Sequence, residues 1–240
     1  MCAGDDELAP FLPLIDDCRV VEKAKLKFYT GKLGGVDVAA LFSGVCKVNA
    51  AIAAQILIET FGVDVILNAG VAGGMAPALG LLDTVISTEV AYHDVAADIL
   101  TEFHPWMPSV FFPADARLIA LSKAAAAKLN LPHSICWGRM VTGETFIDET
   151  GRQAINDQFA PLCVDMETAG VAHVCYVFDI PFLAIRSITD TAAHTGLAHF
   201  EENCKAASAV ARDVTVALIG ELSLAPWFSQ KRQPTGNATS

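Results

Sequence analysis

The chain has 240 residues, with 16 Lys and Arg against 27 Asp and Glu, 53% hydrophobic residues and 18% charged ones. That balance excludes a disordered or low-complexity chain, and a net charge of −11 excludes nucleic acid as a main partner, because phosphate backbones require a basic face. The mean hydropathy of +0.43 is high for a soluble monomer and predicts apolar surface buried in an oligomer.

The acidic start MCAGDDELAP lacks the basic and apolar regions of a signal peptide. Residues 26–29 and 36–42, separated by GKLGG, predict a hairpin. Lys47–Phe61 is rich in Ala, Ile and Leu and apolar on nearly all sides, which predicts a well-buried helix. A short β-branched strand over 63–67 ends in the glycine-rich NAGVAGG. A strand over 84–87, an Ala-rich helix over 114–129, a strand over 134–141 and a short helix near Glu149–Phe159 follow. A strand over 162–165 leads into a helix over 167–178, and 181–188 reads as a buried strand. The stretch 169–185 is the most apolar, but His173, Asp179 and Pro181 interrupt it, so no membrane span is expected. In the last helix Phe200, Cys204, Ala207, Ala211, Val214, Leu218 and Leu222 recur at three to four residues, opposite Glu201, Glu202, Lys205, Ser208 and Arg212.

From Ala225 to Ser240 the composition turns polar, predicting a flexible tail whose Asn237-Ala-Thr239 triplet is a chance glycosylation match. With no repeat or internal linker, residues 1–224 predict a single α/β domain around a buried sheet. The seven cysteines are scattered, form no C-x-x-C pair and fit free thiols in a reducing cytoplasm. The six histidines show no ligand spacing, so no metal is expected.

Four constellations stand out. Residues 68–74, including Ala72 and Gly73, follow a buried strand, so their backbone N–H groups are either free to approach a ligand or simply part of a tight turn. In Val164-Asp-Met-Glu-Thr168, Asp165 and Glu167 share one face and Met166 the other if the strand extends through them; buried carboxylates there need a partner or a shifted pKa, unless Glu167 merely opens a helix. The buried strand Ile185-Arg-Ser-Ile-Thr-Asp190 carries Arg186, a natural brace for Asp165. It ends in Thr189 and Asp190, a candidate general acid or a helix cap. Asp5-Asp6-Glu7 reads on composition as a solvated terminus or helix start, and His93-Asp94 as a structural pair.

Taken in order, SGVCKVNAA, NAGVAGG, Tyr92-His93-Asp94, TGETFI, VDMET and AIRSITD closely resemble the nucleoside phosphorylase superfamily, and within it the 5′-methylthioadenosine/S-adenosylhomocysteine nucleosidases, over about residues 2–222. The resemblance implies a mixed, twisted central sheet flanked by helices, a homodimer, and cofactor-free hydrolysis of an adenine nucleoside in the cytoplasm. By matching motif, Asp190 would protonate the purine and Glu7 would activate water. Glu167 would hold the ribose hydroxyls with Met166 packed on the sugar. Phe146 would stack on adenine while the Ile147 backbone reads its edge. Val45 and Phe200 would line the 5′-thio pocket, closed by residues 97–108 of a neighbouring subunit, and Arg186 with Asp165 would support the site.

The nearest rival, phosphorolysis, calls for an arginine just before the glycine segment, where this chain has Leu67-Asn68; an acidic Asp5-Asp6-Glu7 loop repels phosphate as well. Departures from the family pattern include Gly4, Val71 and Ala193. Family members usually begin with an apolar strand, whereas here only Met1-Cys2 precede Ala3. The expectation is a gap in the sheet with Glu7 near a frayed terminus, and a further alternative is a catalytically impaired nucleoside-binding relative.

Overall fold

The computed structural model describes residues 1–193 and 197–229, apart from the side chains of Glu149, Thr150 and Ser229. The end of the tail at 230–240, with its glycosylation triplet, lies outside the described residues. The chain opens on a short helix α1 (Asp5–Leu8), then β1 (Asp16–Lys23), β2 (Leu26–Leu33) and β3 (Val36–Ala40). These three form an antiparallel sheet. Gly34 and Gly35 both have positive φ and make a two-residue turn, so the expected hairpin is present with a longer first strand, a shorter second strand and a tighter turn.

Helix α2 (Lys47–Phe61) is followed by β4 (Ile66–Gly74), β5 (Thr84–Tyr92), α3 (Ala97–Glu102), β6 (Phe111–Pro113) and α4 (Ala116–Ala126). Next come β7 (Ile135–Thr142), α5 (Glu149–Phe159), β8 (Cys163–Asp165), α6 (Thr168–Val177), β9 (Phe182–Asp190), α7 (Leu197–Leu224) and α8 (Pro226–Ser229). The second sheet runs β6-β5-β7-β8-β4-β9 and mixes parallel with antiparallel pairs. Its curl brings β9 onto β5 as well. Helices α2 and α6 pack together on one side, while α4 and α7 pack together and α7 lies against β4 and β9. This is the single-domain α/β architecture, a mixed twisted sheet flanked by helices, that the sequence predicts.

Four expectations change. The glycine segment is no turn: β4 runs straight through it, paired with β9 along most of its length. Helix α2 buries Ala50, Ala53, Ala54 and Leu57, but Val48 and Ile52 face outward, so its apolar character is only half spent on this chain's core. Within the segment expected as loose tail, Pro226–Ser229 form α8, and Ala225 and Phe228 are buried.

The N-terminus is not frayed. The Met1 ammonium donates to the Leu67 carbonyl, and the Met1 carbonyl accepts from Ala69 N and Asn68 Nδ2. Cys2 N–H donates to the Leu41 carbonyl, and the Cys2 carbonyl accepts from Ser43 N. These two residues therefore bridge the two sheets. A cavity of about 540 Å3 lies beside them, with Leu33, Val36, Ile66, Leu67 and Ile219 among its lining residues. Among the described residues no helix is long and apolar enough to cross a membrane.

Candidate active site

Arg186 on β9 is fully buried, so its charge must be met inside the protein. Three carboxylates converge on it. Asp165 Oδ2 lies 2.9 Å from Nε, Glu7 Oε1 3.6 Å from NH1 and Glu167 Oε2 3.6 Å from NH2. Burial alone would lower the pKa of Arg186, but Asp165, Glu7 and Glu167 raise it, so it stays charged. NH2 also donates to Asn68 Oδ1 at 2.9 Å, and Nε and NH2 donate to the Thr168 hydroxyl. The pairing of Arg186 with Asp165 is the one the sequence predicts.

Each carboxylate owes its place to a strand or helix end. Asp165 closes β8; its Oδ1 accepts from the Thr142 hydroxyl at 2.6 Å and from the backbone N–H groups of Glu167 and Thr168. The strand stops there, and Glu167 is the N-cap of α6. Its Oε1 accepts from Cys46 N at 2.9 Å, where α2 begins. Burial pushes Glu167 up to about 7, against the attraction of Arg186.

Glu7 sits in the third position of α1, where a carboxylate can reach back to the helix start. Its Oε2 accepts from Ala3 N at 2.6 Å and Gly4 N at 3.0 Å, and its Oε1 accepts from Val71 N at 2.7 Å. Asp5-Asp6-Glu7 is thus both a helix start and the source of a buried carboxylate, 5% exposed. The passage between Glu7 and Arg186 explains Gly70, because a Cβ there would overlap both side chains.

Asp190 ends β9, 2% exposed. The Thr189 hydroxyl donates to its Oδ1 at 2.9 Å and lies 3.3 Å from the Ala72 carbonyl. Burial raises the pKa of Asp190, opposed by the Thr189 hydrogen bond and the charges of Arg152 and His199. A Cβ at Gly73 would stand 3.0 Å from Asp190 Oδ2, so the strand is open where the acid faces it.

A cavity of about 370 Å3 joins these groups. Glu7, Glu167, Met166, Asp165 and Asp190 line it together with Val45, Ala72, Gly73, Phe146, Ile147 and Phe200. Arg186 and Thr189, also singled out from the sequence, do not line it. The Phe146 and Phe200 rings meet edge-on, centroids 6.1 Å apart. Val71, one of the departures from the family pattern, lines the cavity too and also supplies the N–H that holds Glu7.

Sequence reasoning missed Cys46, Asn68, Thr142, Thr168 and Arg152, whose roles depend on chain crossings no local pattern displays. Arg152 alone left a signal, since it falls on the same helical stripe as Ile155 and Phe159. His93-Asp94 is structural here: Asp94 takes Lys47 Nζ at 2.8 and 2.9 Å and Glu144 N at 3.0 Å.

A mixed, curled sheet with buried acids gathered at its strand ends defines an α/β enzyme of the phosphorylase class, and the family model described as "Phosphorylase superfamily" matches residues 1–220. The chain is 35% identical over 226 residues to the 5′-methylthioadenosine/S-adenosylhomocysteine nucleosidase of Anoxybacillus flavithermus, covering 92% of this chain and 97% of that one. Among solved structures, the nucleosidase of that name from Colwellia psychrerythraea 34H, in complex with adenine, superposes with a TM-score of 0.84 at 31% identity, covering 92% and 93% of the two chains. The Neisseria meningitidis nucleosidase in complex with methylthio-immucillin-A gives 0.84 at 28% identity over 91% and 96%. The chain belongs to the phosphorylase superfamily and, within it, to the 5′-methylthioadenosine/S-adenosylhomocysteine nucleosidase family.

Proposed function

We propose that the chain hydrolyses the N-glycosidic bond of 5′-methylthioadenosine and S-adenosylhomocysteine, releasing adenine and the 5-thioribose product. The observation that carries this reading is the meeting of Glu7, Glu167 and Asp190 in one cavity, each in a different environment. Cleaving a glycosidic bond through an oxocarbenium-like state needs an acid for the leaving group and a base for water. Asp190, whose burial favours the protonated form, donates its proton to the five-membered ring of the purine as the bond to C1′ breaks. Glu7 takes a proton from the water that adds to C1′. Its two oxygens accept three backbone N–H groups, which fix its direction and leave Oε1 a lone pair for that water.

Glu167 accepts the ribose hydroxyls, and Met166 packs on the sugar. Phe146 stacks on adenine while the Ile147 backbone reads its edge. Val45 and Phe200 line the 5′-thio end, and Ala72, Gly73 and Thr189 shape the wall around the acid. Arg186 and Asp165 hold Glu7 and Glu167 in place. No metal or organic cofactor enters the scheme.

Hydrolysis is favoured over phosphorolysis because Arg186, the cation beside Glu7 and Glu167, is already met by three acids. A homodimer completes the site in this reading. Val48, Phe103 and Trp106, on α2 and at the end of α3, are 69%, 59% and 62% exposed, which supports a second copy covering that face and its residues 97–108 closing the 5′-thio end. Free thiols at every cysteine described fit a cytoplasmic setting. The test is adenine release from 5′-methylthioadenosine in phosphate-free buffer. Turnover that appears only with phosphate overturns hydrolysis in favour of phosphorolysis, and binding without adenine release makes the chain a nucleoside-binding relative.

A further inference from the structure

Arg152 is a buried cation that the reaction scheme leaves unused. It is 7% exposed on α5, on the stripe that also buries Ile155 and Phe159, where packing alone would select an aliphatic side chain. Its NH1 donates to the Gly74 carbonyl at the end of β4 and lies 3.3 Å from Met75 Sδ. Nε and NH2 are buried and find no hydrogen-bond partner among the described residues. A guanidinium held in this way is costly unless its charge serves a neighbour. The neighbour is Asp190: a Cβ at Gly73 would meet its carboxylate, and one at Gly74 would lie 3.4 Å from its carbonyl oxygen. At the other end of the linkage, Ile147 rests over Gly151, one residue before Arg152, where an added Cβ would stand 3.6 Å from Ile147 Cδ1.

We propose that Arg152 is a positioning residue for the cleavage step: it ties the start of α5, and with it Phe146 and Ile147, to the Gly74 end of β4 beside Asp190, so that the adenine-binding segment and the acid keep one fixed relation. The inference rests on the nucleosidase reading. Among the described residues, few groups act on Asp190. Thr189 on β9 donates to it, and His199 on α7 and Arg152 on α5 supply positive influences. Asp190 acts when protonated, so activity falls as pH rises through its pKa. Removing the Arg152 cation raises that pKa and moves the alkaline limb upward.

The experiment compares pH profiles of kcat/KM for adenine release by the wild type, Arg152→Met and Arg152→Lys. Arg152→Met is expected to shift the alkaline limb up by about half a pH unit, about a threefold change in the ratio of rates on either side of it. Its KM should rise several-fold as the adenine segment loosens. Arg152→Lys, which keeps the charge but not the fork, is expected to keep the wild-type limb and to recover part of the KM. A side chain that only packs would lower kcat/KM by one factor at every pH, and Met would then serve as well as Lys. Parallel profiles, or Met equalling Lys, overturn the proposal. Should Arg152→Met fail to fold, Arg152→Gln gives the same comparison. A wild type that releases no adenine defeats the nucleosidase reading and this inference with it, whereas parallel profiles in an active series defeat this inference alone.

Discussion

Glu167→Gln isolates the electrostatic cost of gathering three carboxylates around one guanidinium. Glu7, Asp165 and Glu167 all lie within 3.6 Å of Arg186, so full ionisation would leave excess negative charge in a dry interior. Burial moves Glu167 from 4.5 up to about 7. A carboxyl whose pKa is higher folded than unfolded binds more protons in the folded state, so its contribution favours folding at low pH and is lost as pH rises through that window. The interval from 4.5 to about 7 corresponds to roughly 3 kcal/mol, most of it lost between pH 5 and pH 8. Gln stays neutral at both values and can still accept the Cys46 N–H. Urea unfolding of the ligand-free protein at the two pH values is the assay. Relative to the wild type, the variant should gain stability, by roughly 2–3 kcal/mol, on going from pH 5 to pH 8. Equal changes in the two proteins would mean that Glu167 is already ionised at pH 5 and that the argument from burial fails.

Asp190→Asn should cut adenine release by about two to four orders of magnitude with an unchanged circular dichroism spectrum, and wild-type rates would remove Asp190 as the acid. Because burial raises the Asp190 pKa, the wild-type kcat/KM should decline on its alkaline side at a pH above the ordinary carboxylate range, a limb that Asp190→Asn lacks. Cys46 stands at φ 81° and ψ 162°, a region that only glycine enters freely. Relief of about 1–3 kcal/mol of strain, less the flexibility glycine adds, should let Cys46→Gly raise Tm by about 2–4 °C, with no gain for Cys46→Ala. If a homodimer covers α2, Val48→Asp should halve the mass seen by sedimentation equilibrium and weaken turnover, and an unchanged mass would place any interface elsewhere.

Much of the fold was legible because helical and buried-strand stretches here are compositionally pure. Lys47–Phe61 and Glu149–Phe159 were read with the bounds the structure has, and β7, β8 and β9 to within a few residues. The strand β1 was not foreseen, and its residues explain why. Asp16–Lys23 is exposed at every position, so no burial alternation marks it. Its turn into β2 uses Ala24 and Lys25 at positive φ rather than the usual Gly or Asn. The glycine segment was misread for the opposite reason. Glycines usually punctuate loops, but in β4 Gly70 and Gly73 leave room for side chains arriving from other elements.

The same physics separates the site residues that were legible from those that were not. A charge on an otherwise apolar strand demands a partner, so Arg186 on β9 announced Asp165 before any geometry was known. That demand runs in one direction only. It says a buried arginine must find acids, but not that one of them comes from α1, more than a hundred residues earlier in the chain. Glu7 reaches Arg186 because the backbone N–H groups of Ala3, Gly4 and Val71 fix its carboxylate between the chain start and β4. Those donors have no side-chain signature. Asn68 and Thr168, which accept further N–H groups of Arg186, are ordinary polar residues whose importance comes from the crossing of β4, α6 and β9. Charge balance predicts that partners exist, and topology decides which ones they are. It follows that Asn68→Leu, which strips one acceptor from a fully buried guanidinium, should cost more stability than its uncharged character implies, about 1–3 kcal/mol by urea unfolding. A loss below about 0.5 kcal/mol would show that Arg186 is satisfied by the carboxylates alone.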